Sequence, residues 1–439
     1  MSKYYKILCA LALTLLPVSS FGAIERANLT GGGGEADAYS TTISISENGE
    51  YVAFFSTASN LVAGDTNGVG DVFVKNRNTG DIERVTLSSA GVQQNKSINT
   101  RVSISDDGRY VAFMSSATNL VAGDTNGKID VFVRDRQTNT TERVSVATDG
   151  TQGNKDDVDG ATVVISGDGR YVAFLSKATN LVAGDTNGYA DVFVRDRQTN
   201  TTERVSVGAG GAQGNLDART GLGISDDGRY VAFNSRSSNL VTGDTNAGSP
   251  NGGNDTFVRD RQLGTTERVS IADNEAESNG DNITGYNVTI SSDGRYVTFA
   301  SDGTNLVAGD TNSATDIFLR DRTLGTTEMV SVADDESIGN GAIQYGVAMS
   351  ADGQLVAFSS SATNLVAGDT NGEIDVFVRD RSTSSTRRVV AYDSSEANDS
   401  VKIGNLALSP DGGYLGFLSA ATNLVAGDTN GVADAFVEY

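Results

Sequence analysis

The stretch Ile104-Ser-Asp-Asp-Gly-Arg-Tyr-Val-Ala-Phe-Met-Ser115 runs on through Asn119-Leu-Val-Ala-Gly-Asp-Thr-Asn-Gly127 to Asp130-Val-Phe-Val-Arg-Asp-Arg136 and Thr141-Glu-Arg-Val-Ser-Val146. Close copies of it fill the chain. Its turn glycine returns as Gly49, Gly108, Gly169, Gly228, Gly294, Gly353 and Gly412, at steps of 59, 61, 59, 66, 59 and 59 residues. Seven copies at so regular a period mean one supersecondary unit repeated, each burying its faces against its neighbours.

Each copy reads as four short strands. In the second copy these are Val102 to Ser105, Tyr110 to Ser115, Asp130 to Arg136 and Thr141 to Val146, rich in Val, Ile, Tyr, Phe and Thr and bounded by turn residues. Asp107-Gly108 suits a tight hairpin, because glycine accepts the positive φ that such turns need. Gln137-Thr-Asn-Thr140 makes a second tight connection. Apolar residues face both ways along the second strand, Tyr110 and Ala112 against Val111 and Phe113, as expected of a sheet covered on both sides. With only three prolines in the chain, little interrupts the strands, and helical periodicity is absent after the N-terminal segment.

Four-stranded units of this length suit a β-propeller, with a solenoid as the structural rival. The chain ends separate the two. The seventh copy stops after its third strand, at Ala435-Phe-Val-Glu-Tyr439, and Ile24-Glu-Arg-Ala-Asn-Leu29 matches the missing fourth strand with Glu25 and Arg26 in register. A ring uses such a strand to remove an exposed edge; a solenoid does not. The expected fold is all-β, a seven-bladed β-propeller over residues 24–439, with residues 24–30 closing blade 7.

Residues 1–23 have a different character. Lys3 and Lys6 precede an apolar run from Ile7 to Val18 and small residues to Ala23, the pattern of a secretory signal peptide with cleavage between Ser20 and Ala23. The run is too short for a spanning helix, and no later segment approaches the roughly 20 apolar residues such a helix needs. The protein is therefore expected to be exported, to the periplasm or the medium, without membrane insertion. Its one cysteine, Cys9, lies in that segment, which leaves the remainder without disulfides or thiolate chemistry. Histidine is absent, removing the commonest general base and metal ligand. A net charge of -23 repels phosphate backbones, so nucleic acid is not an expected partner.

Ser105-Asp-Asp-Gly-Arg-Tyr-Val-Ala-Phe113 followed by Asp130-Val-Phe-Val-Arg-Asp135 is similar to the WD-like propeller repeat of the TolB family. The resemblance covers the repeats from end to end. It implies a periplasmic or secreted propeller of the kind that serves as a binding platform for other envelope proteins, although TolB itself has six blades and an additional N-terminal domain. Fold analogy alone assigns no activity.

Antiparallel alternation puts the first and third connections of a blade on one face and the second, with the blade-to-blade link, on the other. The first set is short. The second is long, Ser116 to Lys128 and roughly Ala147 to Gly160 in the second copy, and long loops on a rigid scaffold are where binding usually resides. Each within-blade loop carries Asp-x-Asn followed by another Asp: Asp65, Asn67, Asp71; Asp124, Asn126, Asp130; Asp185, Asn187, Asp191; Asp244, Asn246, Asp255; Asp310, Asn312, Asp316; Asp369, Asn371, Asp375; and Asp428, Asn430, Asp434. Hard cations take such oxygens, so these sets are candidate ligands for weakly bound structural Ca2+. Equally, Asp and Asn hold turns by bonding their own backbone, and Asn-Gly is a turn dipeptide.

Asn95, Asn154, Asn215, Asn279 and Asn340 recur in the links, with Asn398 one place out of step and Asp37 in the equivalent place after Arg26. They would either lend a cation one more oxygen or cap the start of the inner strand. Arg134-Asp-Arg136 and its equivalents read as strand neighbours of opposite charge, at about 0.2–1 kcal/mol per pair. The largest break in symmetry is the insertion Ala247-Gly-Ser-Pro-Asn-Gly-Gly-Asn254, which reads as a tolerated flexible loop.

These features indicate a non-enzymatic protein-binding platform engaging an envelope or extracellular protein. The alternative is a glycan-binding propeller, or a glycoside hydrolase or lyase working with carboxylates alone. Against it stand sevenfold repeated carboxylates and the absence of tryptophan, with only Tyr286 and Tyr345 offering an aromatic face near the inner strands.

Overall fold

In a computed structural model of the chain, residues 22–97, 101–156, 162–246, 253–282, 287–401 and 406–439 are described, Tyr345 by its backbone only. The signal segment up to residue 21, Tyr286 and all of the blade-4 insertion except Gly253 and Asn254 lie outside the described residues.

The described residues form seven four-stranded antiparallel sheets, each built from strands consecutive in sequence except the last. Blade 2 has strands Val102–Ile104, Tyr110–Ser115, Asp130–Asp135 and Thr140–Arg143. The fourth is shorter than its sequence pattern: Val144 still donates to Val131 O, but Val146 has already left to bridge Gln152. The one described helical element is a three-residue 3-10 turn, Ala209–Gly211.

The last sheet takes its fourth strand from the other end of the chain. Ile24–Arg26 pairs antiparallel with Asp434–Glu438, Glu25 opposite Val437 and Arg26 opposite Phe436. In blade 2 Glu142 lies opposite Val133 and Arg143 opposite Phe132, so the register is the one read from Glu25 and Arg26. Ala23 and Tyr439 continue the ladder by exchanging backbone hydrogen bonds.

Between blades the core is apolar. The middle strands are buried on both faces, and each blade stacks two phenylalanines across them, such as Phe113 and Phe132 with ring centroids 5.9 Å apart. The turn glycine is needed twice over. Gly108 has φ +70, and a Cβ there would lie 2.2 Å from the ring of Tyr51 in the preceding blade. Arg136 covers that ring, its guanidinium 4.3 Å from the centroid, and Nε donates to Glu83 Oε1 at 2.5 Å.

Arg-Asp-Arg thus serves three directions rather than pairing within its strand. Arg134 donates to Asn139 O and Thr141 Oγ1, Asp135 accepts two bonds from Arg109, and Arg136 reaches the neighbouring blade. The alternation of the strand sends Asp135 to the face opposite Arg134, and Arg136 lies just past the strand's end.

At the junction of blades 6 and 7 the polarity of the blade-to-blade pair is reversed. Arg387 stands where other blades have the glutamate and holds Glu438 through two bonds of 2.9 Å.

Candidate functional site

On the long-loop face, each within-blade loop returns to its third strand at the second aspartate of the recurring set. In blade 2 Asp130 opens Asp130–Asp135 and is buried. Because Arg143 lies opposite Phe132, two residues along the same side, its guanidinium swings onto Asp130, and the loop brings Asp124 to it from the other side. Arg143 Nη1 lies 3.2 Å from both Asp124 Oδ1 and Asp130 Oδ2.

The remaining bonds complete a closed node. Ser145 Oγ donates to Asp130 Oδ1 at 2.7 Å, and Asn126 Nδ2 donates to Asp130 Oδ2 at 3.0 Å. Asn126 Oδ1 accepts from the backbone N–H of Lys128, an Asx turn. Gln152 accepts from Arg143 Nη1 at 3.0 Å and from the backbone N–H groups of Thr125 and Asn126, tying the following link to the loop.

The same arginine contact recurs as Arg84 with Asp65 and Asp71, Arg204 with Asp185 and Asp191, Arg268 with Asp244 and Asp255, and Arg388 with Asp369 and Asp375. In blade 7 the closing strand supplies it: Arg26 lies 3.0 Å from Asp428 and 2.9 Å from Asp434, and Asn28 donates to Asp434. Six acid sets therefore enclose a guanidinium, the cation that sequence reasoning did not identify. The signal was available: Arg or Met recurs 13 residues after the second aspartate in copies one to six.

In these six sets a guanidinium stands against the aspartate oxygens that would serve calcium. The second aspartate of each accepts from arginine, the first lies 2.9–3.5 Å from it, and the Asn Oδ1 of five of them accepts the turn N–H two residues on. Among the described residues no group of three acidic side chains converges as a metal centre.

Electrostatics follow burial. Desolvation pushes Asp130 and Asp191 up, and Asp255 and Asp375 up to about 6, with the arginines pulling in the opposite direction. Glu396 and Glu35, in the place of Gln152, sit at about 2 because they accept from Thr370 and Thr429 first of all.

The link asparagines cap a different element from the one expected. Asn95 Oδ1 accepts from Thr118 N and Asn95 Nδ2 donates to Thr118 Oγ1, while Asn119 Oδ1 accepts from Asn95 N. They latch the link onto the loop after the next blade's second strand. Asn154, Asn215, Asn279, Asn340 and Asn398 repeat the contact, and Asp37 does so through Ser59.

The inner strands line a central channel with Ile45, Ile104, Ile165, Ile224, Ile290, Met349 and Leu408. Arg101 enters it from blade 2 and donates to Asn287 Oδ1 of blade 5 at 2.7 Å, a cross-channel contact with no periodic signature in the sequence. At its short-loop mouth Asp106 is raised to about 7 by burial and by Asp226 and Glu47.

No family model matches the chain, and no curated protein matches it. Solved structures do. Oligogalacturonate lyase from Vibrio parahaemolyticus is similar with a TM-score of 0.56 and 12% identity, over 95% of this chain and 98% of that one. The β-propeller domain of the Trilobed protease from Pyrococcus furiosus, which has an open velcro topology, is similar at 0.53 and 10%, over 91% and 95%. TolB from Acinetobacter baumannii is similar at 0.40 and 13%, and this chain spans 80% of itself and 62% of that protein in the match. The chain is a seven-bladed β-propeller. Identities this low carry the fold and no activity.

Proposed function

We propose that this protein is an exported, non-enzymatic propeller that serves as a protein-binding platform through its long-loop face. The observation that supports this reading is the closure of the recurring carboxylates on internal arginines. A general acid and base need free oxygens at substrate distance and separated proton affinities. In six of the seven sets the repeated aspartates are paired with arginine, and they tie the long loops to the fourth strand at one end of the scaffold. Rigid presentation lowers the ordering cost of binding. The apolar N-terminal segment supports export, and the binding partner it implies is an envelope or extracellular protein.

A photo-crosslinking residue at Ala122, exposed on the long-loop face, tests the reading against one at Thr138, exposed on the short-loop face. Expression in the native host should give discrete adducts from position 122 and few from 138. Release of unsaturated sugar from oligogalacturonate or another glycan, abolished by Asp124→Asn with Asp130→Asn, would replace the platform with the glycan-active alternative.

A further inference from the structure

Blade 5 keeps the acid set but has no arginine of its own. Met329 stands in the arginine's place and Ile338 in that of Gln152. Asp316 is still buried, 1% exposed, and its oxygens accept from Ser331 at 2.7 Å and Asn312 at 2.9 Å. Asp310 Oδ1 is buried without a hydrogen-bond partner, as are Oδ1 of Asp124, Asp185 and Asp369, but unlike them it has no arginine nitrogen within 4 Å among the described residues. In all six sister nodes it is this same Oδ1 that meets the guanidinium.

We propose that the blade-5 node is a receptor for an arginine side chain of the partner protein, supplied in trans where the other blades supply it in cis. The site has an acidic floor, Asp310 and Asp316, and a partly exposed apolar wall, Met329 and Ile338, with Met329 resting on Phe299, Leu306 and Phe318. That combination matches a long side chain whose methylene stem lies on alkyl groups while its charged end reaches carboxylates. A bare hard cation is the poorer match. It would gain nothing from a thioether and an alkyl group, and Asn312 Oδ1 already accepts from Ala314 N. The net charge of -23 favours approach of a basic surface. The inference rests on the platform reading and names its anchor.

Methionine methyl NMR on the chain from Ala23 reports the site directly. Beyond Met1 the methionines are Met114, Met329 and Met349, and the buried Met114 and Met349 serve as internal controls. Titration with the peptide acetyl-Gly-Arg-Gly-amide should move the Met329 methyl saturably and leave the other two in place. The citrulline peptide, equal in shape but uncharged, should not move it. Asp310→Asn should weaken the response roughly tenfold or more while the Met114 signal stays native. Met329→Arg should fill the node in cis and abolish saturation transfer to the peptide. An unmoved Met329, an equal response to citrulline, or a response to calcium in place of the peptide would each overturn the receptor. Adducts from position 122 that persist in Met329→Arg would keep the platform and remove this anchor. A saturable Met329 response without any adduct would keep the receptor and remove the platform.

Discussion

In blade 7 the acids Asp428 and Asp434 close on an arginine that arrives from the opposite end of the chain, whereas in blade 5 Asp310 and Asp316 have Met329 in the arginine's place. The loops are nonetheless alike. Asn430 and Asn312 make the same Asx turn, to Val432 N and Ala314 N, and both donate to the second aspartate. The difference separates two roles that six blades superimpose. Asn builds the loop, and arginine fastens the fourth strand to it. Where that strand comes from another part of the chain, fastening becomes ring closure.

The largest test of this contrast removes the closing strand. A chain beginning at Gly31 loses Arg26 and Asn28 from the node and the Glu25 partner of Arg77, and it leaves Asp434–Glu438 as an open edge. Its melting temperature should fall further than for any single substitution, with aggregation. Arg26→Ala alone should cost about 3–5 kcal/mol in denaturant unfolding, the scale for a buried carboxylate left without its partner. Equal melting of the shortened and complete chains would mean that blade 7 does not need closing.

A smaller effect sharpens the blade-5 side. Burial, with Asp310 adding to it, raises Asp316 from an ordinary 3.8 to about 6 in the folded protein. The folded state then holds the proton more tightly than the unfolded chain. Its contribution is present below pH 4 and is lost as pH rises through about 6, at most about 3 kcal/mol. Met329→Arg with Ile338→Gln should therefore stabilise the protein more at pH 8 than at pH 5. Parallel melting curves of the variant and the parent across that range would remove the uncompensated charge from blade 5.

The smallest expected effect is that of calcium. With six sets closed on arginine, about 10 mM calcium should shift unfolding by no more than one site with a dissociation constant near 1 mM would give, about 1.4 kcal/mol. A shift of about 10 kcal/mol, the sum for seven such sites, would mean that the ion displaces the guanidinium throughout.

The contrast was only half visible in the sequence. Periodicity placed every blade, and Glu25 and Arg26 set the closing register, because both depend on residues adjacent in the chain. The Asx turns were legible for the same reason. The arginine contacts were not, because Arg143 approaches Asp130 only after antiparallel pairing sets it diagonally across two strands. Contacts between blades were less legible still: Arg136 meets Tyr51 and Glu83, and Arg101 meets Asn287, through the curvature of the ring.

The reversed pair Arg387 and Glu438 bears on how so repetitive a chain counts. Near-identical units invite a ring that skips a member or borrows one from another molecule. If blade 6 were to dock on blade 1, Arg387 would meet Arg77, the residue that otherwise takes Glu25. If blade 7 were to take the place of blade 2 beside blade 1, its Glu438 would meet Glu83, the residue that otherwise takes Arg136. Like charges facing each other at a packed junction are a penalty against the wrong neighbour rather than a gain for the right one. One inverted pair among matching ones makes the junction of blades 6 and 7 chemically unlike the others, a local penalty against any ring that skips the seventh blade.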